Sequence, residues 1–190
     1  MPAVGVPASH GAGASTNSAI ASVVSANGAS AHGDHELAPH PSTRADGEWA
    51  QLWFAIQRHS WSTLAVVPAE RTQNAFGPAR ALAVAGHVYR AGAVKMIDAT
   101  KADAREIQGI IAAAKDAAAA GAQVVIALGS PLVNPAAIAI ARAADAVVLA
   151  VPLGEAMLAD SRRVIESIGR EHFIGSVAVR QPKATRVKKR

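Results

Sequence analysis

Hydrophobic residues recur along this chain in two patterns that predict helices and strands. In residues 47–61, GEWAQLWFAIQRHSW, Trp49, Leu52, Trp53 and Ile56 have the i, i+3, i+4, i+7 spacing of an amphipathic helix. Five short runs rich in Val, Ile and Leu follow, with little alternation, as expected of strands that are covered on both faces. The predicted strands are residues 63–67, 94–97, 124–128, 146–151 and 174–179.

Glycine, proline and small polar residues between these runs indicate four further helices. Gly77-Pro78 and Asn134-Pro135 are predicted to open two of them as N-cap and N1 pairs. A third is expected to start at Thr100 and to end at Gly121, and the last to lie between Gly154 and Gly169. Because strand and helix alternate five times, the predicted fold class is α/β, with a doubly wound, mostly parallel sheet of five or more strands and helices on both faces.

Ligands of such sheets bind outside the carboxyl ends of the strands. The segments expected to line this edge are residues 68–77, 98–103, 129–134 and 152–155. In a nucleotide-binding protein the first of them would be a phosphate-binding loop, with free consecutive N–H groups, small residues and usually a lysine. In this chain the segment contains a single glycine, followed by a proline without an N–H group, and places Phe76 where phosphate would lie. We therefore expect it to hold phosphate poorly.

Composition divides the chain into three parts. Residues 1–45 are dominated by Ala, Ser, Gly, Pro and His without periodicity, and are predicted to be a disordered tail. Residues 46–180 are nearly neutral and form the predicted α/β domain. Residues 181–190 form a basic C-terminal tail that carries Lys183, Arg186, Lys188, Lys189 and Arg190, equal to the whole net charge of +5.

Other features of the composition bear on location and partners. The chain has no cysteine, and charged residues interrupt every apolar run before it could span a bilayer. The first residues also lack the pattern of a secretory signal. These features predict a cytoplasmic protein. Nucleic acid is not an expected partner, because the body adds neither a basic patch nor an aromatic platform to the basic tail.

Several motifs occur in an order that has a counterpart in a known family. They are LAVVPA and ARALA around residues 64–83, VKMIDAT at 94–100, VVIALGSPL at 124–132 and ADAVVLAVPLG at 144–154. In this order residues 46–180 resemble the bacterial tyrosine kinases of capsule and exopolysaccharide synthesis, a branch of the deviant P-loop MinD/ParA ATPase group. The resemblance implies a P-loop NTPase-like fold.

The family's catalytic residues are mostly missing when its motifs are carried over. The phosphate-loop lysine falls on Ala75, the magnesium-binding hydroxyl residue on Phe76, and two loop glycines on Thr72 and Asn74. The first aspartate of the second motif is kept as Asp98, whereas the second falls on Thr100 and the acidic residue of the third motif falls on Gly129. Since phosphoryl transfer depends on positioning and charge neutralisation, these losses imply that no catalytic residues, metal site or nucleotide cofactor remain.

Two other family features are also reduced. The family's kinases carry a tyrosine-rich C-terminal tail, whereas the single tyrosine of this chain is Tyr89, within a predicted helix. Their leading helix forms rings through a Glu-x-x-Arg-x-x-Arg pattern, of which this chain keeps Glu48 but has Gln51 and Phe54 at the arginine positions. Ring formation by the family's route is therefore not expected. A homo-oligomer formed in another way stays an alternative.

The resemblance then implies a catalytically inactive partner in bacterial exopolysaccharide or capsule synthesis and export. Its expected binding partner is a membrane polysaccharide co-polymerase or an intact kinase homologue, contacted in the cytoplasm at the inner membrane. One alternative is an active ATPase or tyrosine kinase with an atypical loop that binds ATP and Mg²⁺. Another is a MinD/ParA-like positioning adaptor that binds an anionic membrane surface through the basic tail.

Each candidate residue has a structural interpretation as well. Asp98 could contact Mg²⁺, but an aspartate that caps the turn after its strand is the preferred explanation, because one carboxylate rarely holds Mg²⁺ alone. Trp49, Trp53 and Phe54 could anchor a partner or could pack the first helix on the sheet. Phe54 is the better candidate for a partner contact, since it lies outside the apolar stripe of that helix.

Overall fold

Five parallel strands form one sheet at the centre of the protein. The computed structural model describes residues 44–90, 92–153 and 158–179, with side chains from residue 47 onward. The strands are β1 Thr63–Pro68, β2 Val94–Ala99, β3 Gln123–Leu128, β4 Ala146–Pro152 and β5 Phe173–Val179. The helices are α1 Arg44–Ile56, α2 Phe76–Tyr89, α3 Ile107–Ala119, α4 Pro135–Ala143 and α5 Leu158–Ile168, and a 3₁₀ turn follows at Arg170–His172.

The strand order is β2-β3-β1-β4-β5, and every pairing is parallel. Ala65 in the central strand pairs with Ile126 of β3 on one side and with Val147 of β4 on the other. All six residues of β1 and of β3 are buried, which explains why these runs do not alternate. The predicted α/β class, the doubly wound parallel sheet and the five strand positions are confirmed. The arrangement is consistent with a P-loop NTPase-like fold.

The helices are divided unequally between the two faces of the sheet. Ala65 and Val67 of β1 belong to a core cluster that also contains residues of α3, α4 and α5, whereas Leu64 and Val66 pack in a second cluster with α1 and α2. The loop after β1 therefore enters a helix on one face, while the loops after β3 and β4 enter helices on the other. This change of direction places the topological switch at the carboxyl end of β1.

Trp53 holds α1 against α2. Its indole ring lies over Gly86 so closely that a Cβ added there would be 2.5 Å from ring atoms. The Trp53 and Trp61 rings meet edge to face at 5.7 Å, and the Trp61 indole N–H donates to the carbonyl oxygen of Ile56 at 3.1 Å. Trp53 is therefore a core residue, and of its two predicted roles only the packing one is compatible with its burial.

Three of the predicted helix boundaries need correction. α1 begins at Arg44, two residues before the predicted start of the ordered domain. α2 begins at Phe76 with Ala75 as its N-cap, so Gly77-Pro78 lies inside its first turn. α3 begins at Ile107 rather than at Thr100, because the chain first makes a turn that ends in a capping box. In that box the Asp103 carboxylate accepts from Glu106 N, and the Glu106 carboxylate accepts from Asp103 N.

Other helix ends agree with the prediction. Gly121 has φ 86°, and the hydrogen bonds from its amide to Ala118 O and from the Ala122 amide to Ala117 O complete a Schellman motif after α3. Gly169, after α5, also has a positive φ, 108°. Residues 1–43 of the predicted N-terminal tail (1–45), the whole predicted C-terminal tail (181–190) and the predicted helix start at residue 154 lie outside the described residues.

Asp145 joins the first residues of two neighbouring strands. Its carboxylate oxygen Oδ2 accepts from the Ser62 amide at 2.9 Å, the Thr63 amide at 2.8 Å and the Thr63 hydroxyl at 3.0 Å. Partial desolvation alone would raise the pKa of Asp145, but these hydrogen bonds and the nearby charge of Lys115 outweigh it and lower the pKa below its ordinary value. The ionised form therefore stabilises the start of β1 against β4.

We expect Asp145→Asn to lower the free energy of unfolding near neutral pH by about 1 kcal/mol, a modest value because solvent screens this exposed carboxylate. Because the pKa of Asp145 is lower in the folded state, its carboxylate contributes fully to the free energy of unfolding above the unfolded-state pKa, about 3.9. This contribution is lost as pH falls through the folded-state pKa. Urea unfolding of both proteins at several pH values would measure this. The difference should close in acid, and Asp116→Asn, which removes an exposed carboxylate, should have little effect at any pH. If Asp145→Asn lowered the free energy of unfolding equally at pH 3 and pH 7, the stabilising role of the ionised carboxylate would be contradicted.

Candidate functional site

The carboxyl edge of the sheet is the place where this fold would hold a ligand. It is formed by the loop after β1 (residues 69–75), the loop after β2 (100–106), the loop after β3 (129–134) and the start of the chain after β4. The loop after β3 contacts both of the other complete loops directly. How these contacts are made determines what this edge can bind.

The loop after β1 crosses the carboxyl end of β3 and is hydrogen-bonded to it. Asn74 forms an antiparallel bridge with Gly129, and the Ala75 amide donates to the carbonyl oxygen of Leu128 at 2.9 Å. At the other end of the loop, the Ala69 amide donates to the carbonyl oxygen of Ala150 in β4. The loop therefore lies on the edge of the sheet and is bonded to both neighbours of β1.

The first turn of α2 offers few amides to an anion. The Phe76 amide donates to the Asn74 side chain at 3.1 Å, and Pro78 has no N–H group. Helix N-termini bind phosphate through free N–H groups that point at the ligand. At this N-terminus the Phe76 N–H group is already bonded to the protein, and Pro78 has none to offer.

Residues 75 and 76, to which the resemblance would assign a lysine and a hydroxyl residue, have different surroundings in the structure. Ala75 is fully buried in the core cluster beneath α1 and α2, where a lysine side chain would have no room or counter-charge. Phe76 is exposed at the start of α2, and Thr72 and Asn74 are exposed in the loop. Ala75 therefore belongs to the packed core, whereas its neighbours Asn74 and Phe76 lie at the surface.

Gly129 allows the loop after β2 to close over the end of β3. A Cβ at this position would overlap the carbonyl oxygen of Thr100. An acidic side chain, which the family has here, cannot be accommodated while Thr100 occupies this place. The glycine thus has a structural reason, since it lets the loops after β2 and β3 meet closely.

Asp98 caps the turn that follows β2. Its carboxylate oxygen Oδ1 accepts from the Thr100 amide at 3.0 Å. This bond matches the preferred explanation of Asp98 as a capping residue. In the described part of the chain, no three His, Asp or Glu side chains are grouped to hold a metal ion.

Asn134 connects the loop after β2 to the start of α4. Its side-chain oxygen accepts from the Ala136 amide at 3.0 Å, as an N-cap, and its side-chain nitrogen donates to the carbonyl oxygen of Ala102 at 2.7 Å. The sequence indicated only the first role, from the Asn-Pro pair. The second depends on a residue 32 positions away and had no local signal.

Two polar groups at this edge are buried and incompletely paired. The Glu70 oxygen Oε2 accepts from the Gln73 side chain at 3.1 Å, but Oε1 has no hydrogen-bond partner among the described residues. The same holds for the buried hydroxyl of Ser130 at the end of β3. Sequence reasoning missed Glu70, because an acidic residue in a polar loop is ordinarily exposed.

The other predicted site residues lie away from this edge or outside the described structure. Trp49 is half-buried against the core, and Trp53 is buried beneath it. Phe54 is 56% exposed, as predicted, and its ring packs against Tyr89 of α2 with centroids 5.4 Å apart. The five basic residues of the tail are not among the described residues.

We expect the two bonds of Asn134 to be separable by substitution. Asn134→Asp keeps the N-cap acceptor but places a carboxylate oxygen beside the Ala102 carbonyl, and should cost about 1 kcal/mol of stability. Asn134→Ala removes both bonds and should cost about 1–3 kcal/mol. Urea unfolding gives both values, and amide hydrogen exchange should speed up in residues 100–106 for either variant. A wild-type stability and exchange pattern for Asn134→Asp would show that the bond to Ala102 contributes nothing.

No protein-family model matches this chain, and no curated protein matches it. What the structure shows is an α/β fold with five parallel strands in the order β2-β3-β1-β4-β5, and a carboxyl edge closed by contacts among its own loops. Within the described residues no helix is long and apolar enough to cross a membrane.

Proposed function

We propose that this chain is a catalytically inactive relative of the bacterial tyrosine kinases that works through protein contacts in exopolysaccharide or capsule synthesis and export. The observation that carries the inactive part is the hydrogen bond from Ala75 N to Leu128 O, with the Asn74–Gly129 bridge beside it. These bonds use the loop that would otherwise cradle phosphate. The pathway rests on the resemblance of residues 46–180 alone.

Three further observations support the absence of nucleotide chemistry. Ala75 is buried at the lysine position, and the Thr100 carbonyl occupies the space that an acidic residue 129 would need. The remaining acid, Asp98, is bonded to a backbone amide. Without a lysine at position 75 or, among the described residues, a group of carboxylates for Mg²⁺, little would be left to stabilise the transferring phosphoryl group.

A surface on α1 and α2 supports the interaction part of the proposal. The exposed rings of Phe54 and Tyr89 pack together, and Val84 and Val88, one turn apart on α2, are also exposed. The charged or titratable side chains of α2 are those of Arg80, His87 and Tyr89 alone. Aromatic side chains dominate the binding energy of protein interfaces, so a co-polymerase or kinase partner is proposed to dock at this surface, named here the α1/α2 surface.

The full chain should show no saturable binding of MgATP in titration calorimetry up to millimolar nucleotide, since a dissociation constant of 1 mM corresponds to only about 4 kcal/mol. Asp98→Asn should give the same flat titration, because its oxygen can still accept from Thr100 N. Micromolar binding by the wild-type chain that disappears in Asp98→Ala would instead support an active ATPase or kinase with an atypical loop.

Complementation tests the interaction directly and separates the two functions. In a strain of the source organism that lacks this chain, Asp98→Asn should restore polysaccharide export fully, and Phe54→Ser should restore it poorly at equal protein level. Phe54 is exposed, so its replacement should leave the thermal unfolding midpoint nearly unchanged. Export restored by Phe54→Ser but not by Asp98→Asn would reverse the assignment, and export unaffected by loss of the chain would refute the proposed pathway.

A further inference from the structure

Two buried side chains at the carboxyl edge of the sheet have an oxygen without a partner. Glu70, in the loop after β1, is 9% exposed, and Ser130, in the loop after β3, is 5% exposed. Oxygen Oε1 of Glu70 and oxygen Oγ of Ser130 are the only buried side-chain oxygen or nitrogen atoms in the described part of the chain that make no hydrogen bond. Both therefore lie at the edge of the sheet where this fold holds ligands.

The loops that carry these two side chains are bonded to each other beside them. The Gln73 side-chain amide donates to Glu70 Oε2 at 3.1 Å. The next residue, Asn74, forms the antiparallel bridge with Gly129, which directly precedes Ser130 in the chain. The backbone that carries Glu70 and the backbone that carries Ser130 are thus held against each other.

The carboxylate of Glu70 is buried without a positive charge to balance it. None of the ion pairs among the described residues includes Glu70. Arg71, the next residue in the chain, and Lys101, in the loop after β2, are both exposed. The hydrogen bond from Gln73 comes from a neutral amide. Since a buried carboxylate is costly unless it is paired or coordinates a metal ion, one positive charge is missing here.

From these observations we propose that Glu70 and Ser130 bind a monovalent metal ion, K⁺ or Na⁺, between the loops after β1 and β3. Hard cations prefer oxygen ligands, and backbone carbonyl oxygens or water would complete the coordination of Glu70 Oε1 and Ser130 Oγ. A single positive charge balances the single carboxylate.

Other occupants fit these two side chains less well. A divalent ion would leave a positive charge unbalanced in a buried place, and Mg²⁺ and Ca²⁺ ordinarily take further carboxylates or phosphates as ligands. A water molecule would satisfy the hydrogen bonds of both oxygens but would supply no charge. The inference goes beyond the proposed function, which requires no ion.

Urea unfolding of the full chain in KCl, NaCl and choline chloride, at equal chloride concentration, tests the proposal. Choline has the same charge but is too large to lie between the two loops. For a dissociation constant of about 15 mM, a bound ion should raise the folding equilibrium constant about tenfold at about 150 mM salt. The larger of the two increases identifies the preferred ion. Equal free energies of unfolding in all three salts would overturn the proposal and indicate water or a proton beside Glu70.

Three variants locate the effect. Glu70→Gln keeps the size of the side chain but removes its charge, and should abolish the difference between the metal salts and choline chloride. Ser130→Ala should keep the difference but weaken the apparent affinity for the ion about fivefold, because one ligand is lost. Glu48→Gln, the matched control, removes an exposed carboxylate on α1 and should respond to the salts as the wild-type chain does.

Two results with these variants would contradict the assignment. A wild-type response to the salts in Glu70→Gln would show that the ion does not bind at Glu70. An unchanged apparent affinity in Ser130→Ala would show that Ser130 is not a ligand.

Crystals of the wild-type chain give a second test, which does not depend on the folding of a variant. If the site prefers K⁺, crystals grown in RbCl should show an anomalous peak between Glu70 Oε1 and Ser130 Oγ. If it prefers Na⁺, crystals grown in NaCl should show density there with contacts to oxygen that are shorter than hydrogen bonds. Water-like density in both crystals would overturn the proposal. None of these measurements reads nucleotide binding or export, so the ion site can fail separately from the proposed function.

Discussion

Ala75 donates its backbone N–H to the carbonyl oxygen of Leu128, across the gap between the loop after β1 and the end of β3. Backbone groups at the edge of a parallel sheet must find partners in water, ligand or protein. In this chain the amide of Ala75 finds its partner within the protein itself. Three features accompany this hydrogen bond: Ala75 is buried, Asn74 forms a bridge with Gly129, and Phe76 is exposed.

The loops after β2 and β3 complete the closure. Gly129 gives the Thr100 carbonyl room to approach, and Asn134 holds Ala102 from the start of α4. Thr100 and Gly129 are the positions at which the resemblance would place acidic residues. The loops at this edge are therefore held together by contacts within the protein itself, which is why the edge is closely packed.

The candidate contact surface for a protein lies on the layer formed by α1 and α2. These helices cover one face of the sheet, and their exposed side presents the packed Phe54 and Tyr89 rings together with Val84 and Val88. The loops that close the site lie elsewhere, at the carboxyl ends of the strands.

The sequence by itself determined the five strands, the order of helix and strand and the exposure of Phe54, because these depend on local periodicity and residue chemistry. It could not determine the start of α3, where the reciprocal bonds of Asp103 and Glu106 outweighed the helix signal at Thr100. Nor could it reveal the burial of Ala75, the second bond of Asn134 or the joining of β1 to β4 by Asp145. Those depend on residues far apart in the chain, which only packing of the strands in the order β2-β3-β1-β4-β5 brings together.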